Sequence, residues 1–399
     1  MSSTSAAKPH LTNTTLWIMT VATGLIVANL YYNEPLLGEM ANAFHVNSGK
    51  IGLVNTITKL GYAVGMLFVV PMADMFKRKR MMLIILVFTI LSLLMVAVAP
   101  NLIVLIAGSL LLGIFSLVPQ LLLPMTAHLA NPAERGKKIG FVMSGLLLGI
   151  LLSRTLSGTI SAYFGWRAIF YLAAGIMVII WLLLFIFLPE VEPDYKGKYS
   201  ALMKSLITII KEEPALRIAS MRGALCFASF SAFWTTLTFL LKLNFNLGSD
   251  AAGLFGLAGA AGALFAGLMG RLSDKMDAYK LSGYTLLLIL VSFGIFYLSA
   301  NSLVGLAIGV VLFDIGIQAT HISNQSIIFA LRPEARNRIN TVYMVSYFIG
   351  GSLGSFVAAK VWDHYQWGGV CVIGASLSVI ALVLHFSNRK KVQSATAGV

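Results

Sequence analysis

A chain of 399 residues that is 58% hydrophobic and 11% charged, with a mean hydropathy of +0.85, is too apolar for a soluble globular fold. The formal net charge of +14 would suit a polyanion if it covered one surface, but most of the 29 Lys and Arg fall in short stretches between apolar runs, so no nucleic-acid partner is expected. Each run is close to the roughly 20 residues a helix needs to cross hydrocarbon, and lipid leaves backbone polar groups no partner outside their own segment, so the fold class is all-α and polytopic.

About twelve spans are predicted. The first thirteen residues are polar and no small-residue cleavage site follows the first apolar run, which therefore reads as a retained span. Span one (15–42) carries Tyr31, Tyr32, Asn33 and Glu34, an aromatic and polar cluster suited to a cavity wall. Span two (49–73) carries Lys59 at a depth compatible with Glu34, so the two either form a structural ion pair or face a cavity. A basic loop, Lys77 to Arg80, precedes span three (81–99). Span four (102–129) holds Gln120. Span five (138–162) pairs Gly145 with Gly149 at a spacing that admits a close helix neighbour. It also holds Arg154, about 15 residues and roughly 22 Å from its start. Arg154 could bind an anionic or polar solute, or neutralise Asp314 or another carboxylate.

Span six (167–188) is followed by the one long charged connection, 189–215, with Pro189, Pro193 and Pro214. Within it Leu202, Leu206, Ile209 and Ile210 are predicted to share one face of a helix lying in the membrane interface. The domains expected are a first six-helix bundle (1–188), this linker (189–215) and a second bundle (216–399). Span seven (216–244) places Trp234, Thr235 and Thr236 at the depth of the span-one cluster. Span eight (250–270) has glycines at 253, 256, 259, 262, 267 and 270 and is expected to pack closely on the glycine face of span five. After span nine (281–299), span ten (302–330) sets Asp314, Gln318, His321 and Gln325 within an arc of roughly 60°, with Asn324 just off it. A charge there costs about 2.5–3.5 kcal/mol on insertion scales. The stripe is thus either an internal network that orders the bundle or a wet pathway in which Asp314 takes up and releases a proton. Spans eleven (336–361) and twelve (367–387) complete the chain. Cys226 and Cys371 both sit in apolar spans, as buried small hydrophobes rather than a disulfide framework.

Lys8, Lys77 to Arg80, Arg135, Lys137, Lys138, the Lys and Arg of 196–222, Arg271, Lys275, Lys280, Arg332, Arg336, Arg338 and Arg389 to Lys391 all fall on one side. The opposite turns are nearly bare: Pro100–Asn101 and Ala300–Asn301 carry no charge. The positive-inside rule puts both termini in the cytoplasm. The second half also repeats the first at an offset of about 201: Pro132, Arg135, Met143, Gly149, Leu152 and Trp166 recur as Pro333, Arg336, Met344, Gly350, Leu353 and Trp367. Duplicated membrane units meet at a pseudo-twofold interface near the bilayer centre, where transporters place substrate. Under the offset Gln120 matches His321, so polar positions recur in spans one, four, seven and ten.

The loop after span two, Val70–Pro71–Met72–Ala73–Asp74–Met75–Phe76–Lys77–Arg78–Lys79–Arg80, resembles the G-x-L-A-D-R-x-G-R-K-x signature of the major facilitator superfamily. Asp74, Arg78 and Lys79 match, while Val70, Met75 and Lys77 depart from it. The second copy, Gly270–Arg271–Leu272–Ser273–Asp274–Lys275, is a closer match. The resemblance covers all twelve spans and implies two pseudo-symmetric six-helix bundles, with Asp74, Arg78, Asp274 and Arg271 as a conformational latch. A carboxylate at a helix N-terminus is favoured by about 0.3–1 kcal/mol, which suits that role. The chain is most similar to the drug:proton antiporter and sugar-efflux branch, with two departures. The span-four pattern R-x-x-Q-G would put its Arg at Ser109, and the span-five pattern G-x-x-x-G-P has Ile150 in place of Pro. Arg154 is a candidate to replace the missing charge.

The function these features imply is proton-coupled efflux of a small organic solute (a drug, sugar or metabolite) by a monomeric inner-membrane transporter. The runner-up is proton-coupled import by the same fold. Asp314, His321 and Glu34 are the candidate proton-coupling residues. Arg154, Gln120, Gln318, Gln325, Asn324, Tyr32, Asn33, Lys59 and Trp234 are the candidate solute-binding residues. Asp314 and His321 have no second His or carboxylate at ligand spacing, so no metal, cofactor or enzymatic reaction is expected.

Overall fold

The computed structural model describes residues 11–73, 75–131, 134–192, 197–273, 277–332 and 335–389, with side chains throughout except at 263–273. All regular structure among them is helical. The elements are α1 (Asn13–Ala28), a 3-10 turn (Glu34–Leu36), α2 (Leu37–Phe44), α3 (Ser48–Met72), α4 (Arg78–Ala97), α5 (Leu102–Phe115) and α6 (Val118–Leu129). They continue with α7 (Arg135–Phe164), α8 (Trp166–Phe187), α9 (Tyr199–Glu212), α10 (Pro214–Phe245), α11 (Ser249–Ser273), α12 (Ala278–Leu298), α13 (Leu303–Leu331) and α14 (Arg336–Ser387).

These make the twelve expected spans, with three departures from plain helices. Span one breaks after Ala28 and resumes through the 3-10 turn at Glu34. Pro35 offers no amide to continue the ladder. Span four breaks at Ser116–Leu117, just before Pro119. Spans eleven and twelve form one long element interrupted only at Gln366, whose φ of 47° and ψ of −143° reverse the chain direction. The equivalent corner in the first half is Gly165, at φ 80°.

The repeat is visible in packing as well as in sequence. Gly145 and Gly149 press on the backbone of Thr20 and Gly24 in α1, and Gly350 and Gly354 press in the same way on Ala224 and Ala228 in α10. Any side chain at these four positions would occupy backbone already there. This corrects the expected partner of Gly145 and Gly149, which is span one and not span eight. Spans five and eight do pack together, but further along, where Gly158 meets Ser249 and Gly253.

The bundles meet most tightly toward the bare face. The Gly49 amide donates to the Asp363 carboxylate (3.2 and 3.1 Å), Thr238 Oγ1 to the Pro35 carbonyl (3.2 Å) and Ser352 Oγ to the Thr56 carbonyl (2.9 Å). Thr155 Oγ1 donates to the Gly253 carbonyl (2.9 Å) and Ser249 Oγ to the Gly158 carbonyl (3.2 Å). Above this seam lies a vestibule of about 610 Å3 lined by Pro35, Asn42, Thr238 and Asp363.

At the basic face, α9 crosses beneath the bundles. Leu202, Leu206 and Ile209 are buried, and the first two line a cavity of about 70 Å3 with Met66, Gln120, Asn340 and Thr341. Ile210, expected on that inner face, is 37% exposed. Arg332 anchors the end of α9 through Glu212 (3.0 Å) and Glu213 (2.6 Å), and these two carboxylates hold its guanidinium above the usual arginine range. Glu192 in the same connection pairs with Lys77 (3.0 Å) and raises its ammonium in the same sense.

Candidate functional site

Glu34 is 1% exposed and sits on the 3-10 turn that interrupts span one. Interrupted helix at membrane depth is tolerated where protein or a cavity surrounds it, and it frees backbone and side chain to face inward. The carboxylate joins two helices: Oε1 accepts from Lys59 Nζ (3.2 Å) and Oε2 from Arg154 Nε (2.6 Å). Both cations are buried, at 1% and 2% exposure. The expected Glu34–Lys59 pair is therefore present, and the carboxylate that Arg154 meets is Glu34, with Asp314 further off.

The network crosses the seam between the bundles. Lys59 Nζ also donates to Ser355 Oγ (3.2 Å), and Ser355 belongs to a hydroxyl–amide cluster with Thr235 (2.9 Å) and Asn55. Asn55 in turn donates to Thr235 Oγ1 (2.6 Å). Arg154 lies over Trp234 at 4.1 Å, with Tyr31 at 5.0 Å and Phe230 at 5.4 Å. Such cation–π contacts stabilise a desolvated guanidinium by about 0.5–2 kcal/mol each.

Asp314 reaches the same region from α13 because α11 has no side chains in the way. A Cβ at Gly256 would come within 3.0 Å of the Arg154 Cβ, and one at Gly259 within 2.5 Å of Asp314 Oδ2 and 3.3 Å of Trp234. The glycine ridge of span eight thus lets α7 and α13 both close on Trp234. Arg154 Nη2, Asp314 Oδ2 and Trp234 Nε1 are buried and have no hydrogen-bond partner among the described residues. Unmet donors and an acceptor around one indole are what a polar ligand would satisfy.

Aromatic rings separate this centre from the basic-face cavity. Tyr62 packs on Phe348 (4.4 Å), Phe348 on Phe227 (5.1 Å), and Phe227 on Tyr347 (4.1 Å), while Lys59 lies 5.7 Å from the Phe227 ring. Gln120 is on the cavity side, where Nε2 donates to Tyr62 OH (3.0 Å). The Glu34 network is therefore enclosed from both faces in this conformation.

The remaining predicted residues divide between this centre and a second cluster. Tyr32 is buried and Asn33 donates to Thr58 (3.2 Å), both beside the turn. His321 Nδ1 bonds Tyr343 OH (3.0 Å), and its ring lies 4.9 Å from Tyr347, so it adjoins the aromatic layer. Gln318 and Gln325 are half-buried on the same helix. Asn324 is turned to Arg222, whose Nε donates to its Oδ1 (2.8 Å). Of the latch residues, Asp74, Asp274 and the Arg271 side chain lie outside the described residues, and Arg78 is buried at the start of α4.

Sequence reasoning missed Arg222. The sequence pattern groups it with the loop charges of the basic side, yet it is fully buried, eight residues beyond Pro214 in a helix that continues to Phe245. Its partners, Asn324 and His385, were either assigned elsewhere or unmarked. The signal available was depth: eight residues is roughly 12 Å of helix. Thr235 is at the depth expected from the sequence, but Ser355 and Asn55 were missed as linkers of the network, because a lone hydroxyl or amide in a span bonds its own helix just as readily.

Comparison with known proteins agrees with the architecture. Residues 16–355 match the family model described as Major Facilitator Superfamily. The transporter YgaY of Escherichia coli K12 is 39% identical over 368 residues, 92% of this chain and 93% of that protein. The transporter SCO4007 of Streptomyces coelicolor is 30% identical over 365 residues, 91% of this chain and 85% of that protein. Among solved structures, a bacterial homologue of the human lysosomal transporter Spinster, inward-facing and unoccupied, superposes with a TM-score of 0.76 at 17% identity, covering 95% of this chain and 97% of that one. Duplicated six-helix bundles closing on a charged seam, the family match and the transporter relatives together make this chain a multi-pass membrane transporter that belongs to the major facilitator superfamily.

Proposed function

We propose that this protein is a proton-coupled exporter of a small organic solute, working by alternating access in a bacterial inner membrane with both termini in the cytoplasm. The two bundles, 1–188 and 216–399, rock about the seam, and the 189–215 connection spans them at the cytoplasmic side. The observation that carries the reading is the arrangement of Glu34, Lys59, Arg154 and Asp314 at the seam, with buried unbonded atoms on Arg154, Asp314 and Trp234, whose indole Arg154 covers.

With Asp314 ionised the four charged side chains sum to neutrality. Protonating Asp314 leaves one net positive charge in a space with little water. A proton and a solute bound near Arg154 and Trp234 thus change each other's electrostatic environment, and that coupling is what exchange requires. His321, at the edge of the aromatic layer, is positioned to pass the proton toward the cytoplasm. Aromatic rings beside a cation and a carboxylate suit an amphipathic solute with a polar head, whether drug, sugar derivative or metabolite.

Purified protein in proteoliposomes tests this. An imposed pH gradient should drive uptake of a solute found by a thermal-shift screen across solute classes. Asp314→Asn should keep solute binding while abolishing the response to the gradient. Gradient-driven transport that survives in Asp314→Asn would remove Asp314 from the coupling step. Transport in the opposite sense under the same gradient would replace export with import.

A further inference from the structure

Arg222 is a cation buried in protein with no carboxylate among the described residues at ion-pairing distance. Its guanidinium is held by Asn324 Oδ1, which accepts from both Nε (2.8 Å) and Nη2, and by His385 Nδ1, 2.8 Å from Nη1. A guanidinium only donates, so His385 Nδ1 must accept, and the hydrogen of that imidazole is on Nε2. The ring cannot turn to reverse these roles. Tyr279 stacks on it at 4.0 Å and donates its hydroxyl to the His385 carbonyl.

Nε2 faces Gly283, where an added Cβ would stand only 2.9 Å from it. That glycine opens a groove of about 400 Å3 between α12 and the last turns of α14. Lys280 and Arg389, both exposed, line the groove at the basic face. About one helix turn deeper than Gly283 and His385 come Leu287 and Leu382, while Phe386 flanks the groove at the level of the imidazole. The flank is open to lipid, with Leu287 51% and Phe386 66% exposed. Asp277 is the one described carboxylate at this end, and it caps α12 by accepting from the Tyr279 amide (2.8 Å).

We propose that this groove is a binding site for an anionic phospholipid. The phosphate accepts from the His385 Nε2–H and is paired by Lys280 and Arg389, and one acyl chain lies along Leu287, Leu382 and Phe386. The order from surface to depth, cation then polarised N–H then apolar wall, matches the order of groups in a phospholipid, and basic pockets between spans at this face are suited to anionic headgroups. His385 relays the attraction of Arg222 to the groove, so the buried cation gains through it the negative charge it lacks inside the bundle.

The full chain, purified and stripped of lipid, is titrated with phosphatidylglycerol, phosphatidylcholine and inorganic phosphate, following thermal unfolding and retained lipid by native mass spectrometry. Phosphatidylglycerol should bind at least tenfold more tightly than phosphatidylcholine. Lys280→Glu, at an exposed position, should lose most of that preference while remaining folded, and His385→Phe should lose it too. Equal binding of the two lipids, or an unchanged preference in Lys280→Glu, would overturn the proposal. Stabilisation by inorganic phosphate equal to that by phosphatidylglycerol would assign the site to a free anion and overturn it as a lipid site.

Discussion

Replacing Glu34 by Gln keeps the shape of the side chain and removes the one carboxylate that pairs directly with both Lys59 and Arg154. Removing one partner of a buried ion pair typically costs about 3–5 kcal/mol, because the other charge is left without compensation. Here two cations are left. Arg154 keeps its contacts with Trp234, Tyr31 and Phe230, and Lys59 keeps Ser355. Those contacts offset part of the loss, so Glu34→Gln is expected near the middle of that range. Lys59→Met should cost less, about 1–2 kcal/mol, since Glu34 retains Arg154 and an ammonium leaves the interior. The double variant should then be more stable than Glu34→Gln alone, with a coupling of roughly 1–3 kcal/mol. Cys226 and Cys371 are free and buried, so a thiol-reactive fluorophore reports unfolding directly in detergent. A Glu34→Gln protein that melts with the wild type, or a double variant that melts below both singles, would refute the charge-balance reasoning.

Four further substitutions test the fold around the site. Gly149→Ala places a methyl on the Gly24 backbone and should abolish stable expression, whereas Gly136→Ala on the same helix meets nothing within 4 Å and should be neutral or stabilising by about 0.5–1 kcal/mol. Equal expression of the two would show that spans one and five are not in close contact. Gln366→Gly relieves a backbone conformation that costs an L-residue about 1–3 kcal/mol, so the melting temperature should rise by a few degrees, and a fall would contradict the corner described here. Gly259→Ala should leave the protein folded but cut transport at least tenfold, because the methyl would stand against Asp314 and Trp234. Full transport in that variant would move the solute away from the indole.

The spans, their duplication and the charge asymmetry were readable because each is a property of composition along the chain. Hydrocarbon thickness fixes helix length, and a 201-residue offset needs no coordinates. The individual charges inside spans were equally plain, since Glu34, Lys59, Arg154 and Asp314 stand alone in apolar runs. The Glu34–Lys59 pairing was among the readings, but the carboxylate that Arg154 meets was not fixed, because pairing depends on helix rotation and on breaks that hydropathy smooths over. Span one reads as continuous from 15 to 42, yet its interruption before Glu34 is what aims that carboxylate at both Lys59 and Arg154. Arg222 was hidden for the opposite reason: it is near enough to a helix start to pass for a loop charge. The glycines of span five gave the right kind of contact but the wrong neighbour, since small-residue spacing says how close a helix comes and not which one.

The closure on the bare face is fastened by hydroxyls, amides and a single exposed carboxylate reaching backbone atoms, and among the described residues no ion pair joins the bundles there. Each such bond nets only about 0.5–1.5 kcal/mol against the bonds water would make in its place. Parting the bundles at that end is therefore an exchange of nearly equal partners as solvent floods in. A modest difference in affinity between two shapes of the central chamber is then enough to choose which gate stands open.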